Sequence, residues 1–217
     1  MDELVSRLQK LDACAVSDAL DKLGLAGAVG GLHRFSSERR VAGRILTVKL
    51  GLAGAHNGPP RHLCTAAIEA AHPGDVIVVE QRTGVEAAAW GGNLSLGAQA
   101  KGVAGVIVEG PARDIDDSRR LDFPVFARSH TARTARGRIA EVATNEPITV
   151  GEFTVSPGDY VVADAGAVVF IGQSEIARVI ETAQAIMERE EAMAAAIREG
   201  QPISQVMGAN YEHMLKR

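Results

Sequence analysis

The most informative part of the chain is residues 90–117, which read WGGNLSLGAQAKGVAGVIVEGPARDIDD. A glycine pair is followed by a stretch of helical character that ends near Lys101. The apolar run Val103–Val108 lacks the alternation of a half-buried strand, so we expect a strand buried on both faces and closed by Gly110 and Pro111. A helix followed by a buried strand is typical of an α/β protein.

Strands and helices alternate along the rest of the chain as well. The predicted strands span residues 40–50, 76–79 and 123–127, and residues 148–171 are rich in strands. The predicted helices span residues 3–11, 18–23, 63–71 and 174–199. Ser17 or Asp18 starts the second helix, Gly24 ends it, and Gly200 ends the last one. The order of elements therefore predicts the α/β class.

The composition limits the class of protein. The 217 residues are 46% hydrophobic and only 4% aromatic, enough for one core built from Ala, Val, Leu and Ile. There are 27 acidic and 23 basic residues, and this net charge of −4 argues against a nucleic-acid partner. The apolar runs are too short to cross a membrane, and the charged N-terminus is unlike a signal peptide. We expect a cytoplasmic protein in which Cys14 and Cys64 are buried thiols.

The glycine pair, Gly91 and Gly92, stands at the start of the helix that follows it. A glycine turn at a helix N-terminus presents free backbone N–H groups and the positive end of the helix dipole, which suits a carboxylate or a phosphate. The sequence has neither the Gly-Lys-Ser/Thr of a Walker loop nor the G-x-G-x-x-G spacing of a dinucleotide fingerprint. The alternative is a turn that only connects two elements.

A second group of polar residues follows the buried strand, at the end where open α/β sheets bind ligands. Arg113 offers a planar fork that suits a carboxylate. Asp114, Asp116 and Asp117 supply hard oxygen ligands appropriate to Mg²⁺ or Mn²⁺. The alternative is a loop in which the arginine and the aspartates pair with one another and cap the next helix.

The long C-terminal helix carries an apolar stripe with one interruption. Glu190 and Glu191 fill the gap, three or four residues from apolar positions on both sides. Burying a carboxylate is costly unless it has a partner. The gap is therefore either a solvated turn or a place where a carboxylate points into a site.

The histidines share no spacing that would indicate a metal site. His56 and Asn57 belong to the loop at residues 55–60, which gives no further signal. The other histidines are expected at the surface or in the core, namely His33, His62, His72, His130 and His213.

A longer pattern joins the two polar groups. Gly92, twenty intervening residues and then Arg113-Asp114-Ile115-Asp116-Asp117 match the pattern G-x(20)-R-D-x(2)-E/D of class II pyruvate aldolases. The chain resembles the 4-hydroxy-4-methyl-2-oxoglutarate aldolase group, whose superfamily also contains the regulator of ribonuclease activity A. Landmarks such as Pro73–Asp75 and Pro157–Asp159 extend the resemblance over about residues 4–200.

The resemblance implies a fold, an assembly and an activity. Residues 1–173 would form a single α/β domain of the swivelling β/β/α type. Residues 174–217 would form a C-terminal helical extension that packs on a neighbouring subunit of a homotrimer or homohexamer. The activity would be divalent-metal-dependent cleavage of a 4-hydroxy-2-oxo acid, such as 4-hydroxy-4-methyl-2-oxoglutarate or 4-carboxy-4-hydroxy-2-oxoadipate, to pyruvate and a second oxo-acid. Oxaloacetate decarboxylation would be a side activity. The alternatives are a non-catalytic regulator of ribonuclease activity and a related oxo-acid lyase.

The resemblance also implies which residues bind the substrate. Arg113 would bind the carboxylate of pyruvate or of the oxo-acid substrate. The glycine turn would complete this pocket with Gly92 and the backbone amides of Asn93 and Leu94. Asp117 would orient Arg113 or its loop. Many relatives carry an acidic residue in place of Gly92, and this departure leaves the identity of the substrate open.

The metal and the proton acceptor are implied in the same way. Asp114 would bind Mg²⁺ or Mn²⁺ directly, with waters filling most of the coordination shell. Glu190 from the C-terminal helix of a neighbouring subunit would hold a metal-bound water that acts as the base. Glu188 and Glu191 are the alternates for this role.

Overall fold

The computed structural model describes residues 2–54 and 62–208. The positions of His56, Asn57 and His213 lie outside this described part. The strands in chain order are β1 (Ala28–Val29), β2 (His33–Arg34), β3 (Val41–Leu52), β4 (Val76–Gln81), β5 (Gly105–Ala112), β6 (Val125–His130), β7 (Ile139–Thr144), β8 (Ile148–Val150), β9 (Phe153–Val155), β10 (Tyr160–Ala163) and β11 (Val168–Ile171).

The first two helices begin at aspartate side chains that cap them. In chain order the helices are α1 (Glu3–Leu8), α2 (Ala13–Leu23), α3 (Thr65–Ala70), α4 (Gly92–Ala100), α5 (Ile115–Arg120), α6 (Ile176–Arg198) and α7 (Ile203–Val206). The Asp12 carboxylate caps α2 by accepting the Ala15 N–H at 2.8 Å. Gly24 ends α2 in the left-handed conformation, with φ of 68°, as predicted.

One nine-stranded sheet organises the chain. Its order is β1-β11-β10-β3-β4-β5-β6-β2, and β7 pairs with β3 outside this path. β3, β4, β5 and β6 run parallel, whereas β10, β11, β1, β2 and β7 join antiparallel. Strands β8 and β9 form a separate hairpin.

Strand β3 bends the sheet. Its first residues, Val41–Arg44, pair with β10, and the rest pairs with β4 on one side and β7 on the other, with an irregularity between Lys49 and Leu50. Because one twelve-residue strand serves three neighbours, the sheet curls into a half-barrel. This single α/β domain confirms the predicted fold class.

Apolar side chains fill three regions around this sheet. Helices α3 and α4 cover the outer face of the parallel strands, and Trp90 and Phe123 stack there with ring centroids 6.3 Å apart. Helices α1, α2 and α6 cover the outer face of β10 and β11. A third cluster, which includes Val78, Ile107 and Phe126, fills the inner face beneath β8 and β9. Strand β4 is buried along its whole length, as predicted from its run of β-branched residues.

Strand β5 does not end where the sequence predicted. Gly110 and Pro111 were expected to close it, yet it continues to Ala112 through an irregularity in its pairing with β6. Gly110 makes the continuation possible, because a Cβ there would lie 2.8 Å from both the Cβ and the carbonyl oxygen of Gln81. The extension carries Arg113 directly to the end of a paired strand.

Two further predictions were wrong at the N-terminus. Helix α2 begins at Ala13 rather than at Asp18, because Asp12 supplies the cap and Ser17 lies inside the helix. Cys14 is exposed on this helix rather than buried, whereas Cys64 is buried as predicted. Both thiols are free.

Helix α6 packs along its first half and extends beyond the body along its second. Val179, Ile180, Ala183 and Ile186 are buried against the core of the same chain, and Met193 is half-buried. The helix ends just before Gly200, which has φ of 89°, as predicted. Packing of residues 174–217 on a neighbouring subunit stays a prediction. Within the described ranges, no helix has both the length and the apolar character to cross a bilayer.

Candidate active site

The two polar groups singled out in the sequence meet at the carboxyl ends of the parallel strands. Trp90 forms a parallel bridge with Ala112, and the Arg113 N–H donates to the Trp90 carbonyl at 2.9 Å. Gly91, in an extended conformation, is the N-cap of α4, which begins at Gly92. The glycine turn and the Arg113 loop are therefore adjacent segments of backbone.

Asp114 joins the two segments through its side chain. One carboxylate oxygen, Oδ2, accepts the Gly92 N–H at 3.1 Å, and the other, Oδ1, accepts Nε–H of Arg113 at 3.1 Å. The residue adopts the left-handed conformation, with φ of 53°, at the N-cap of α5. Asn and Asp enter this region more readily than other residues with a Cβ, which fits an aspartate at this turn.

Asp117 approaches the same turn from α5. A Cβ at Gly92 would lie 2.7 Å from Asp117 Oδ2, so the absence of a side chain at residue 92 leaves room for this carboxylate. Asp117 pairs with Arg120, whereas the carboxylate that contacts Arg113 belongs to Asp114. The contact with Arg113 thus belongs to Asp114, and a role of Asp117 in orienting the loop stays a prediction.

Two cavities open on either side of Arg113 and Asp114. The smaller, of about 200 Å³, lies at the glycine turn and is lined there by Gly92, Asn93 and Leu94. The first N–H groups of α4 have no partner within the helix, so this end of the cavity can supply donors to an anion. The larger cavity, of about 570 Å³, lies over α5 and is lined in addition by Asp116, Asp117, Arg119 and His130.

Several residues of these cavities carried no signal in the sequence. His62 and Thr134 line the smaller cavity, and Phe35 and His130 line the larger one with their rings 5.3 Å apart. They come from segments far from residues 90–117, so only the folded chain brings them together. Trp90, Ser95 and Ser118 are buried behind the turn, and nothing in the sequence indicated that their side chains meet.

Glu190 does not line either cavity in the folded chain. It is half-buried beside α2, and burial, followed by the charges of Asp12 and Asp18, raises its pKa above the usual range of a glutamate. Glu188 and Glu191 are exposed. Among the described residues, none from α6 lines either cavity. A contribution from this helix to the site would have to come from another copy of the chain.

The carboxylates at the glycine turn suit a hard divalent cation. Asp114 Oδ2 and Asp117 Oδ2 lie 2.9 Å and 2.7 Å from where a Cβ would stand on Gly91 and Gly92, so the two glycines leave open the space at both carboxylates. Mg²⁺ is commonly bound by one or two carboxylates and several waters. Within residues 2–54 and 62–208, no three His, Cys, Asp or Glu side chains form an all-protein metal site.

A larger cleft, of about 740 Å³, lies at the opposite end of the parallel strands. Both Pro-Gly-Asp turns line it, together with Arg44 and His72. The cleft lies on the outer face of the sheet, between the helices α3 and α4 on one side and α1, α2 and α6 on the other. Here the exposed Arg44 of β3 stands between Ala42 and Leu46.

The fold and the smaller cavity together define an α/β half-barrel protein whose site chemistry suits a small carboxylate. Comparison with known families makes this class specific. The family model described as RraA-like, Aldolase/RraA, matches residues 13–170. The chain belongs to this family, as its resemblance in sequence predicted.

Individual relatives agree with the family. A Halalkalibacterium halodurans protein, provisionally named a 4-hydroxy-4-methyl-2-oxoglutarate aldolase, is 32% identical over 197 residues, which is 90% of this chain and 89% of that protein. The crystal structure of an uncharacterized Pseudomonas syringae pv. tomato protein matches with a TM-score of 0.85 at 27% identity, covering 94% of this chain and 96% of the other. Streptomyces coelicolor RraAS2, described as an unusual member of the RNase ES inhibitor RraA family, matches with a TM-score of 0.79 at 25% identity and covers 90% and 98%.

The chain spans only part of the length of two relatives. The chain covers 33% of the Legionella pneumophila protein DlpA, at 25% identity, and 58% of an uncharacterized Methanocaldococcus jannaschii protein, at 34% identity. The region of DlpA that is similar to this chain is therefore one part of a longer protein.

Proposed function

We propose that the protein is a class II aldolase that cleaves a 4-hydroxy-2-oxo acid to pyruvate and a second oxo-acid. The observation that carries the proposal is the Asp114 carboxylate, which contacts both Arg113 and the Gly92 amide at the edge of a small cavity. A family whose relatives include a provisionally named 4-hydroxy-4-methyl-2-oxoglutarate aldolase supports the same reaction. Oxaloacetate decarboxylation would be a side activity, because loss of CO₂ leaves the same pyruvate enolate.

The first task of the site is to hold the substrate carboxylate. Arg113 can donate two parallel hydrogen bonds to it, and the amides of Asn93 and Leu94 lie at the positive end of α4. A carboxylate held between these groups fixes the oxo-acid, so that the scissile C3–C4 bond can align with the carbonyl π system. The guanidinium also places positive charge near the enolate that forms as this bond breaks.

The second task is to stabilise the enolate electrophilically. Asp114 would hold Mg²⁺ or Mn²⁺, and the cation would polarise the 2-oxo group when bound. Each oxygen of the Asp114 carboxylate accepts one hydrogen bond and has a further lone pair, so it can bind a cation while it keeps its present partner. The side chain is 34% exposed, which leaves room for the cation.

The third task is to remove the proton of the 4-hydroxyl group. We assign this task to a water held by Glu190 of the partner subunit, in a homotrimer or homohexamer with sites between subunits. The proposal includes the cytoplasmic location expected from the sequence.

The competing proposal is a protein-binding regulator of ribonuclease activity. It is favoured by the structural similarity to Streptomyces coelicolor RraAS2, which is described as a member of an RNase inhibitor family. The two proposals differ in what Asp114 does, because a regulator needs no carboxylate in a small-molecule cavity.

The test is pyruvate release from a panel of 4-hydroxy-2-oxo acids and from oxaloacetate, with Mg²⁺ or Mn²⁺ and then with EDTA. We expect metal-dependent turnover that Asp114→Asn lowers by at least about 100-fold, because the cation loses its ligand. We expect Arg113→Lys to raise KM, since a lysine cannot form the bidentate contact. Full activity in Asp114→Asn would overturn the metal assignment, and no pyruvate from any substrate would favour the regulator.

A further inference from the structure

A buried chain of hydrogen bonds lies behind the candidate active site. We propose that Ser95 and Ser118 are positioning residues, whose paired hydroxyl groups set the distance between the glycine turn and the Asp114 loop. We call Trp90, Ser95 and Ser118 the serine relay. Its consequence for catalysis rests on the proposed function, whereas its structural coupling does not.

The polar groups of the serine relay are buried and hydrogen-bonded to one another. The indole Nε1–H of Trp90 donates to Ser95 Oγ at 2.9 Å, and Ser95 Oγ lies 2.9 Å from Ser118 Oγ. Both serines are 0% exposed, and Trp90 is 1% exposed. An indole N–H can only donate, so Ser95 must accept from it and form its second bond with Ser118. Each of the three polar atoms therefore has a hydrogen-bond partner within the relay.

Each member of the relay also anchors a segment of the site through its backbone. The Trp90 carbonyl accepts the Arg113 N–H at 2.9 Å. The Ser118 N–H donates to the Asp114 carbonyl at 3.2 Å. The relay thus begins at the residue that precedes the glycine turn and ends one helical turn beyond the proposed metal ligand.

Ser95 connects the relay to the first turn of α4. Its N–H donates to the Gly91 carbonyl at 3.0 Å. Because its hydroxyl holds both the indole and Ser118, a shift of α5 relative to α4 would break a buried hydrogen bond. Apolar packing alone would tolerate such a shift more readily, since it is not directional.

The first test uses the ligand-free protein and hydrogen exchange. Ser118→Ala removes a hydroxyl on α5, which contacts Ser95 but not the glycine turn itself. We expect amide exchange at Gly92 and Ser95, whose N–H groups are hydrogen-bonded to Asp114 and to the Gly91 carbonyl, to rise roughly five- to tenfold. Ser37→Ala is the matched control, because Ser37 is a buried serine, 3% exposed, that accepts from Arg39 outside the relay.

A second readout in the same protein is fluorescence, because Trp90 is its single tryptophan. We expect Ser95→Ala to shift the emission of Trp90, since the indole loses its acceptor, and Ser37→Ala to leave it unchanged. If Ser118→Ala does not fold, the exchange measurement is made on Ser118→Cys instead. Its thiol is similar in size to the hydroxyl group and is only a weak donor and acceptor.

Kinetic measurements distinguish a positioning role of the serine relay from a purely stabilising one. We expect Ser118→Ala to lower kcat for pyruvate release about 10- to 100-fold with KM changed less than about threefold, since alignment is lost while the carboxylate contacts remain. Ser118→Cys should restore part of kcat. The double variant Ser95→Ala, Ser118→Ala should lose no more than the worse single variant, because both residues act in one chain.

The outcomes distinguish this inference from the proposed function. Unchanged exchange at Gly92 and Ser95 in Ser118→Ala overturns the serine relay, whatever the activity. Raised exchange together with an unaltered kcat contradicts its positioning role. A wild-type protein without turnover contradicts the proposed function, while raised exchange in Ser118→Ala would still support the structural coupling.

Discussion

Gly92 controls the site at the level of a single residue. A Cβ there would lie 2.7 Å from Asp117 Oδ2 and 3.0 Å from Asp117 Cβ, and Gly92 N–H also donates to Asp114. A side chain at this position must therefore displace the Asp117 carboxylate and disturb the contact with Asp114. The need for glycine comes from this close approach between two helices.

We expect Gly92→Ala to lower the free energy of unfolding by roughly 1–3 kcal/mol and to reduce pyruvate release, as overpacking does elsewhere. The control is Gly97→Ala in the same helix, where the nearest atom to the new Cβ is Ile68 Cγ2 at 4.0 Å. This change should stabilise the protein by roughly 0.5–1 kcal/mol, because alanine is the better helix former. Urea unfolding of both variants measures the difference. A neutral Gly92→Ala would contradict the steric account.

The contact between α2 and α6 governs stability at the level of elements. Asp12 and Asp18 lie close enough to Glu190 to raise its pKa, although burial is the larger cause, and the Cys14 thiol belongs to the same group. The folded protein therefore binds the Glu190 proton more tightly than the unfolded chain does. The contribution of Glu190 to the free energy of unfolding falls as the pH rises from the unfolded pKa, about 4.3, through the raised folded value.

We expect Glu190→Gln to be more stable than the wild type at pH 7, because it removes a charge from an acidic and partly buried place. The difference should vanish near pH 4, where the wild-type carboxyl is protonated. Thermal unfolding across this range measures it, and Glu191→Gln, at the exposed neighbour, is the control. A constant difference at all pH values would show that titration of Glu190 is not its cause.

Some of these elements could be predicted from the sequence, and others could not. The buried strand at residues 76–79 and the helix ends at Gly24 and Gly200 depend on local chemistry, and all three were predicted. The continuation of β5 past Gly110 depends on contact with Gln81, and no local pattern encodes it. In the site, the spacing between Gly92 and Arg113 predicted that the glycine turn and the arginine lie together. The serine relay could not be predicted, because it forms only when three segments have folded.

The whole molecule determines whether the site is complete in one chain. Both cavities form without any described residue of α6, so a Glu190 that serves the site must come from another subunit. We expect Asp114→Asn and Glu190→Gln each to be inactive alone. Mixed oligomers prepared by unfolding and refolding the two variants together should recover part of the activity, because some sites then hold both intact residues. Mixtures that stay inactive, despite exchange of subunits, would contradict a shared site.

The most direct measurement is a crystal structure of the protein with pyruvate and Mg²⁺. The account predicts the pyruvate carboxylate within hydrogen-bonding distance of Arg113 and of the amides of Asn93 and Leu94, with the cation on Asp114. Pyruvate bound in the cleft beside Arg44, or a cation bound away from Asp114, would contradict it.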